Sequence, residues 1–127
     1  MEFTIKTRIN ASAKKVYSCW LSSKGHSEMT GGSAKISAQI GDSFSAWNGY
    51  IEGKNLALEP NKRILQSWRT AQFEINDKDS QVEILLKELQ NQTELTLIHT
   101  LLPESGEHYK RGWEEHYFQP MKAYFER

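Results

Sequence analysis

A run of large aromatic side chains at helical spacing near the C-terminus constrains the fold of this chain more than any other feature. From about residue 105 the apolar side chains recur every three or four positions: Tyr109, Trp113, Tyr117, Met121, Tyr124 and Phe125. Side chains spaced in this way share one face of a helix, which needs a broad apolar surface to cover it. Pro120 lies inside this seam and predicts a kink, because proline removes one backbone hydrogen bond. Gly112 predicts a close approach between the helix and its support.

The surface that could cover this helix comes from the strand-like pattern of the residues before Pro103. Apolar and polar side chains alternate in a series of segments: 2–10, 34–40, 43–47, 50–59, 63–70, 82–86 and 95–101. Alternation of this kind is typical of strands with one buried face. Asn48-Gly49 is the pair favoured in a two-residue hairpin turn, and Gly53 predicts a bulge or bend. We therefore expect about six to seven antiparallel strands in one curved sheet.

Two short helices are predicted between the first strand and the rest of the sheet. Ser12 is a good N-cap for an amphipathic helix over residues 13–21, and a second helix follows until Gly31-Gly32 ends it. The order of strand, two helices, strands and a long helix indicates an α+β fold rather than alternating α/β. A curved sheet wrapped around the last helix leaves a cleft between them.

The length and the net charge of the chain limit the classes of protein to which it can belong. A chain of 127 residues favours one domain over residues 1–127, and 16 Lys and Arg balance 16 Asp and Glu. Zero net charge argues against a nucleic-acid partner, and no segment approaches the roughly 20 apolar residues that span a bilayer. The start carries no signal-peptide pattern, and one cysteine excludes an internal disulfide. We expect a soluble cytoplasmic domain.

The charges are nevertheless uneven along the chain. Residues 1–35 carry six Lys or Arg and two Asp or Glu, a local charge of +4, whereas residues 70–94 carry two and six, a local charge of −4. Solvated faces explain this pattern, and so does a dipolar surface that orients a protein partner.

Five segments, in order, resemble one known family. They are residues 29–32 (MTGG), 44–53 (FSAWNGYIEG), 63–69 (RILQSWR), 93–99 (TELTLIH) and 112–118 (GWEEHYF). Together they resemble the C-terminal domain of the activator of the heat-shock protein 90 ATPase and its bacterial single-domain relatives, in the START-like helix-grip superfamily. The resemblance covers nearly the whole chain and implies six or seven antiparallel strands gripping the last helix.

The resemblance also implies a function. It implies a non-catalytic binding module whose partner is a chaperone of the heat-shock protein 90 type, or an apolar small molecule held in the cleft. A carrier or sensor of small apolar ligands with no chaperone role is the first alternative, and an enzyme using a cleft histidine is the second. The sequence has no counterpart of the separate N-terminal domain with which the eukaryotic activator holds the chaperone, and it has Gly41-Asp42 where many relatives have two glycines.

His99 is the polar residue of greatest interest, because its alternation with Leu95, Leu97 and Leu101 directs it toward the apolar face. It could orient the polar group of a ligand or transfer a proton, or it could be a core histidine bonded to a neighbour. The candidate residues of the cleft are Trp68, Leu97, His99, Trp113, Tyr117 and Met121. These side chains could instead be ordinary core residues packed between the helix and the sheet.

No catalytic residue, metal site or cofactor is predicted elsewhere. His108 and His116 are eight residues apart and roughly 80° out of phase on a helix, which is poor geometry for sharing a metal. His26 is expected on a short surface helix. Glu114 and Glu115 diverge by about 100° and do not form a carboxylate pair.

Overall fold

The first strand of the chain pairs with the last one, so both ends of the sequence meet in one sheet. The computed structural model describes all 127 residues. Six antiparallel strands lie in the order β1-β6-β5-β4-β3-β2. Their bounds are Phe3–Ile9 (β1), Ser43–Ala46 (β2), Ile51–Glu59 (β3), Arg63–Thr70 (β4), Ser80–Leu89 (β5) and Gln92–Thr100 (β6). The predicted α+β fold, with one sheet of about six strands, is confirmed.

The alternation of residue types gives the sheet one apolar face. Leu97 on β6 lies opposite Ile5 on β1 and Ile84 on β5, and all three side chains are buried. Their sequence neighbours on the other face are half-buried or exposed. The buried face is the one that the helices cover, as expected for an antiparallel sheet with one solvated side.

Two helices follow β1 at the predicted places. Helix α1 (Ala13–Trp20) begins after Ser12, whose hydroxyl accepts the backbone N–H of Lys15. Helix α2 (Ser23–Thr30) ends at Gly31, which has a φ of 87° and closes the helix in the left-handed conformation. The Glu88 carboxylate of β5 accepts the first N–H of α1, so the helix is anchored to the sheet. None of the helices is long and apolar enough to cross a membrane.

The C-terminal helix, residues 104–125, is continuous but changes its winding. A 3₁₀ turn (Glu104–Glu107) leads into α3 (His108–Trp113), then a π-helical turn (Glu114–Phe118) and α4 (Gln119–Phe125). Pro120 lies in the first turn of α4, where its missing N–H is tolerated. A wider π turn lies directly before it, and the predicted kink at Pro120 stays a prediction. This turn also buries Phe118, which does not belong to the seam expected from regular helical spacing.

Several local predictions are wrong. Residues 34–40 do not form a strand but make a single bridge, between Lys35 and Ser45, because the side chain of Asn55 captures the carbonyls of Ser37 and Gln39. The turn between β2 and β3 is a four-residue loop, 47–50.

The structure also differs from the sequence predictions at Gly53, at Gly112 and at the end of the last strand. The register shift of β3 lies between Asn55 and Ala57; Gly53 is instead demanded by close approach, because a Cβ there would lie 1.8 Å from the backbone oxygen of Ser67. Gly112 makes no close approach, since a Cβ there would meet nothing within 4 Å. Strand β6 ends at Thr100, and Leu101, with a φ of 60°, is 64% exposed.

Candidate ligand cavity between the sheet and the C-terminal helix

The sheet and the C-terminal helix separate at one end and leave a cavity of about 360 Å³. We call it the aromatic cavity; its lining residues are Trp47, Tyr50, Ile51, Trp68, Tyr109, Gly112, Trp113, His116 and Tyr117. One wall consists of the loop between β2 and β3, the start of β3 and the end of β4. The C-terminal helix forms the other wall. His116 and Tyr50 are exposed and mark the mouth, whereas Trp68, Trp113 and Tyr117 are buried at its inner end.

The structure divides the six predicted cleft residues into two groups. Trp68, Trp113 and Tyr117 line the aromatic cavity. Leu97, His99 and Met121 do not line it and are fully buried, with no exposed surface. They lie where the C-terminal helix packs directly on the sheet. At that point the apolar faces of the helix and the sheet form closed core.

Six residues that line the cavity were not among the cleft residues predicted from the sequence. Tyr109 and Gly112 precede Trp113 on the helix, and His116 follows Gly112 by four residues, so helical spacing carried a signal for these three. Trp47 and Tyr50 lie in the four-residue loop, whose conformation local alternation does not reveal.

His99 holds one wall of the cavity from behind. Its Nδ1 accepts the indole N–H of Trp113 at 3.0 Å, so its proton lies on Nε2 and is donated to the Ser80 hydroxyl at 2.9 Å. Ser80 in turn donates to the backbone oxygen of Trp68 at 2.7 Å. Burial lowers the pKa of His99 to about 3. The ring is thus neutral, and both of its nitrogens are engaged by the protein.

His26 supports the neighbouring ring in the opposite tautomer. Its Nδ1–H donates to the backbone oxygen of Trp20 at 2.9 Å, which leaves Nε2 to accept the hydroxyl of Tyr117 at 3.1 Å. Burial lowers the pKa of His26 and raises the pKa of Tyr117. The expectation of a surface histidine is wrong, because His26 is only 2% exposed. Helix α2 is short, but it turns this residue under the C-terminal helix.

Two tyrosine hydroxyls of the wall are also engaged. The hydroxyls of Tyr109 and Thr70 lie 2.5 Å apart, and the Tyr50 hydroxyl donates to Gln72 at 2.5 Å. Burial raises the pKa of Tyr109. The exposed ring of His116 meets Trp47 edge-on at 5.7 Å between centroids. The cavity therefore presents mostly carbon, with an imidazole at its mouth.

The other predicted polar groups lie outside the cavity. Glu115 accepts from Arg111 at 2.7 Å in an exposed ion pair, and the exposed His108 bonds the backbone oxygen of Ser105. No group of three or more His, Cys, Asp or Glu side chains is arranged to hold a metal ion.

Comparison with known proteins places this geometry in a family. The family model described as "Activator of Hsp90 ATPase homolog 1-like protein" matches residues 10–126. An uncharacterized protein of Schizosaccharomyces pombe is 24% identical over 117 residues, which are 91% of this chain and 34% of that protein. The chain thus spans about a third of the length of this curated relative.

Solved structures share the fold at low sequence identity. An HSP90 activator from Plasmodium falciparum superimposes with a TM-score of 0.88 at 20% identity, covering 97% of this chain and 94% of the other. The Aha1 dimer from Colwellia psychrerythraea gives a TM-score of 0.81 at 18% identity, with 98% and 96% covered. These likenesses establish the six-stranded sheet and its helices as a recurring fold.

Proposed function

This chain belongs to the family of Activator of Hsp90 ATPase homolog 1-like proteins, and from that premise we propose a non-catalytic binding domain that holds an apolar small molecule in its aromatic cavity. The observation that carries the proposal is the cavity itself. Its volume of about 360 Å³ falls within the range of ligand pockets, and seven of its nine lining residues are hydrophobic.

The engagement of the polar side chains supports a binding role over a catalytic one. General acid–base catalysis needs a group with a free proton or lone pair within reach of the substrate. Both ring nitrogens of His99 are hydrogen-bonded, one to Trp113 and one to Ser80, and His99 lies outside the cavity. The histidine that does line the cavity, His116, lies at its exposed mouth, and no carboxylate, thiol, lysine or arginine lines the cavity with it.

Two probes of different shape test the proposal. We expect 2-naphthol or decanoate to bind saturably in calorimetric titrations and to raise the melting temperature, because each is largely apolar. Native mass spectrometry of protein purified from its own host gives an independent readout of a retained ligand. If neither probe binds and no small molecule is retained, the cavity has no binding role.

A variant at Gly112 locates the binding site. Gly112→Leu places a side chain into open space in the cavity and should weaken binding of the probes at least tenfold. Lys110→Leu is the matched control, because it adds the same side chain at an exposed position of the same helix. Equal binding by both variants would place the bound probe outside the cavity.

Interaction with a chaperone of the heat-shock protein 90 type is a second candidate function. Family membership supports it, as does the structural likeness to a protein described as an HSP90 activator. The local charges of +4 over residues 1–35 and −4 over residues 70–94 favour a weak, salt-sensitive contact.

A binding assay with the purified chaperone tests this candidate at two ionic strengths. Exposed charges interact over about 30 Å at 0.01 M salt and about 8 Å at 0.15 M. We expect binding at the lower ionic strength, weakening at the higher one, and modest stimulation of the chaperone ATPase. No binding at the lower ionic strength removes the chaperone from consideration.

A further inference from the structure

We infer that the aromatic cavity takes a flat aromatic molecule of two or three fused rings, with a ring edge over Gly112 and its polar substituent at the mouth beside His116. This inference rests on the proposed ligand-binding function and specifies its ligand class. Four observations support it: the volume of the cavity, the rigidity of its wall, the open space at Gly112 and the absence of charge inside.

The volume sets the size of the ligand. An apolar protein cavity of about 150 Å³ accommodates benzene. The aromatic cavity has about 360 Å³, which leaves room for two or three fused rings. A single ring would leave much of the wall without contacts, and apolar atoms without partners lose their dispersion energy.

Hydrogen bonds hold three rings on the helix side of the wall in place, so this side favours a rigid ligand. Trp113 and Tyr117 pack against each other with centroids 4.5 Å apart, and each is fixed by a buried histidine acceptor. Tyr109 is fixed by its bond to Thr70. Rings held in this way cannot follow the many shapes of an alkyl chain, which would also lose rotational freedom on binding. A flat ring system loses little freedom and gains ring–ring contacts.

Gly112 provides an opening on the helix side. Glycine inside a helix is less stable than alanine, and it is normally kept for a close contact or an unusual backbone angle. Gly112 has neither: a Cβ would meet nothing within 4 Å, and its φ is not among the positive ones. What the missing side chain does provide is space in the cavity wall, where a ring edge can approach the helix backbone.

The charge of the wall decides which substituent fits. No Asp, Glu, Lys or Arg lines the cavity, so an ion inside would lose its hydration without gaining a partner. His116 is exposed at the mouth, where a hydroxyl or other hydrogen-bonding group of the ligand remains in contact with water. The fused rings therefore occupy the interior, and the polar substituent points outward.

Ten-carbon alcohols test the ligand class. 2-Naphthol and decahydro-2-naphthol share ten ring carbons and a hydroxyl but differ in flatness and aromaticity, and 1-decanol carries the same hydroxyl on a flexible chain of ten carbons. We expect calorimetry to give 2-naphthol a dissociation constant at least tenfold lower than either saturated probe, equivalent to about 1.4 kcal/mol.

The outcomes separate this inference from the proposed function. Binding of a saturated probe as tight as that of 2-naphthol overturns the aromatic class and leaves the ligand-binding function intact. Loss of 2-naphthol binding in Gly112→Leu but not in Lys110→Leu supports the placement, and unchanged binding in Gly112→Leu overturns it; Gly112→Ala, with a smaller side chain, repeats the test if Gly112→Leu unfolds. If no probe binds, the inference fails; the proposed function fails with it only if native mass spectrometry also finds no retained small molecule.

Discussion

Trp113 donates its indole N–H to Nδ1 of His99 over 3.0 Å, which makes a fully buried histidine of β6 the support of a ring in the cavity wall. The bond crosses from the C-terminal helix to the sheet and lies at the boundary between closed core and open cavity. His99 thereby contributes to the cavity without lining it, as a positioning residue for Trp113.

The energetic coupling of these two residues is measurable. Trp113→Phe leaves the buried Nδ1 of His99 without a donor and should lower the free energy of unfolding by about 1–3 kcal/mol from this term alone. His99→Leu leaves the indole N–H unpaired in turn. In urea unfolding, the double variant should cost less than the sum of the single ones by about 0.5–3 kcal/mol. Strict additivity would mean that the two side chains do not interact.

Stability should fall as the solution is acidified below neutrality. His99 has an ordinary pKa of about 6.5 in the unfolded chain and about 3 in the folded protein. Below pH 6.5 the unfolded state binds a proton at His99 that the folded state does not bind. The contribution of His99 to the free energy of unfolding is therefore fully present above pH 6.5 and is lost progressively down to about pH 3. The loss from His99 at pH 5 is about 2 kcal/mol, and the lowered pKa of His26 acts in the same direction.

Urea unfolding at pH 7 and pH 5 provides the measurement. His99→Gln removes the titrating group and should reduce the difference between the two pH values, whatever its effect on stability at pH 7. His108→Gln is the control, since His108 is exposed. The same pH dependence in His99→Gln as in the wild type would assign the acid sensitivity to other groups.

Two glycines should respond to alanine in opposite directions. In Gly53→Ala the new Cβ would lie 1.8 Å from the backbone oxygen of Ser67, so strands β3 and β4 must separate locally. We expect a loss of more than about 3 kcal/mol, or failure to fold. Gly112→Ala meets nothing and should raise stability by up to about 1 kcal/mol through helix propensity. Thermal unfolding compares both with the wild type; destabilisation by Gly112→Ala would show a tight contact at that position.

Asn55 should be essential for the order of the irregular segment before β2. Its amide donates to the carbonyls of Ser37 and Gln39 and accepts from Gln66, and the residue is 1% exposed. Asn55→Leu leaves all three partners unpaired and should cost about 2–4 kcal/mol, with faster amide exchange over residues 35–42. Gln39→Ala, at an exposed side chain, should stay within about 0.5 kcal/mol of the wild type. Unchanged exchange in Asn55→Leu would contradict this role.

Much of the fold could be predicted because its signals are local. Alternation identified β1 and the buried residues of β5 and β6, and Ser12 and Gly31 marked helix ends that the structure confirms. The prediction was wrong where a distant side chain intervenes. Residues 34–40 alternate like a strand, but Asn55 takes their carbonyls in place of a neighbouring strand.

By itself, the sequence determined which face of each element is apolar, because side-chain direction follows from a period of two or 3.6 residues. It thereby placed Trp113 and Tyr117 on the helix face that meets the sheet, whereas the face taken by Trp68 was decided only by the structure. Only the tertiary structure decided which facing residues line the cavity and which, like Leu97 and Met121, are closed into the core. That outcome depends on the local separation of helix and sheet. The separation is the sum of many packing contacts between residues distant in sequence, and no local pattern encodes it.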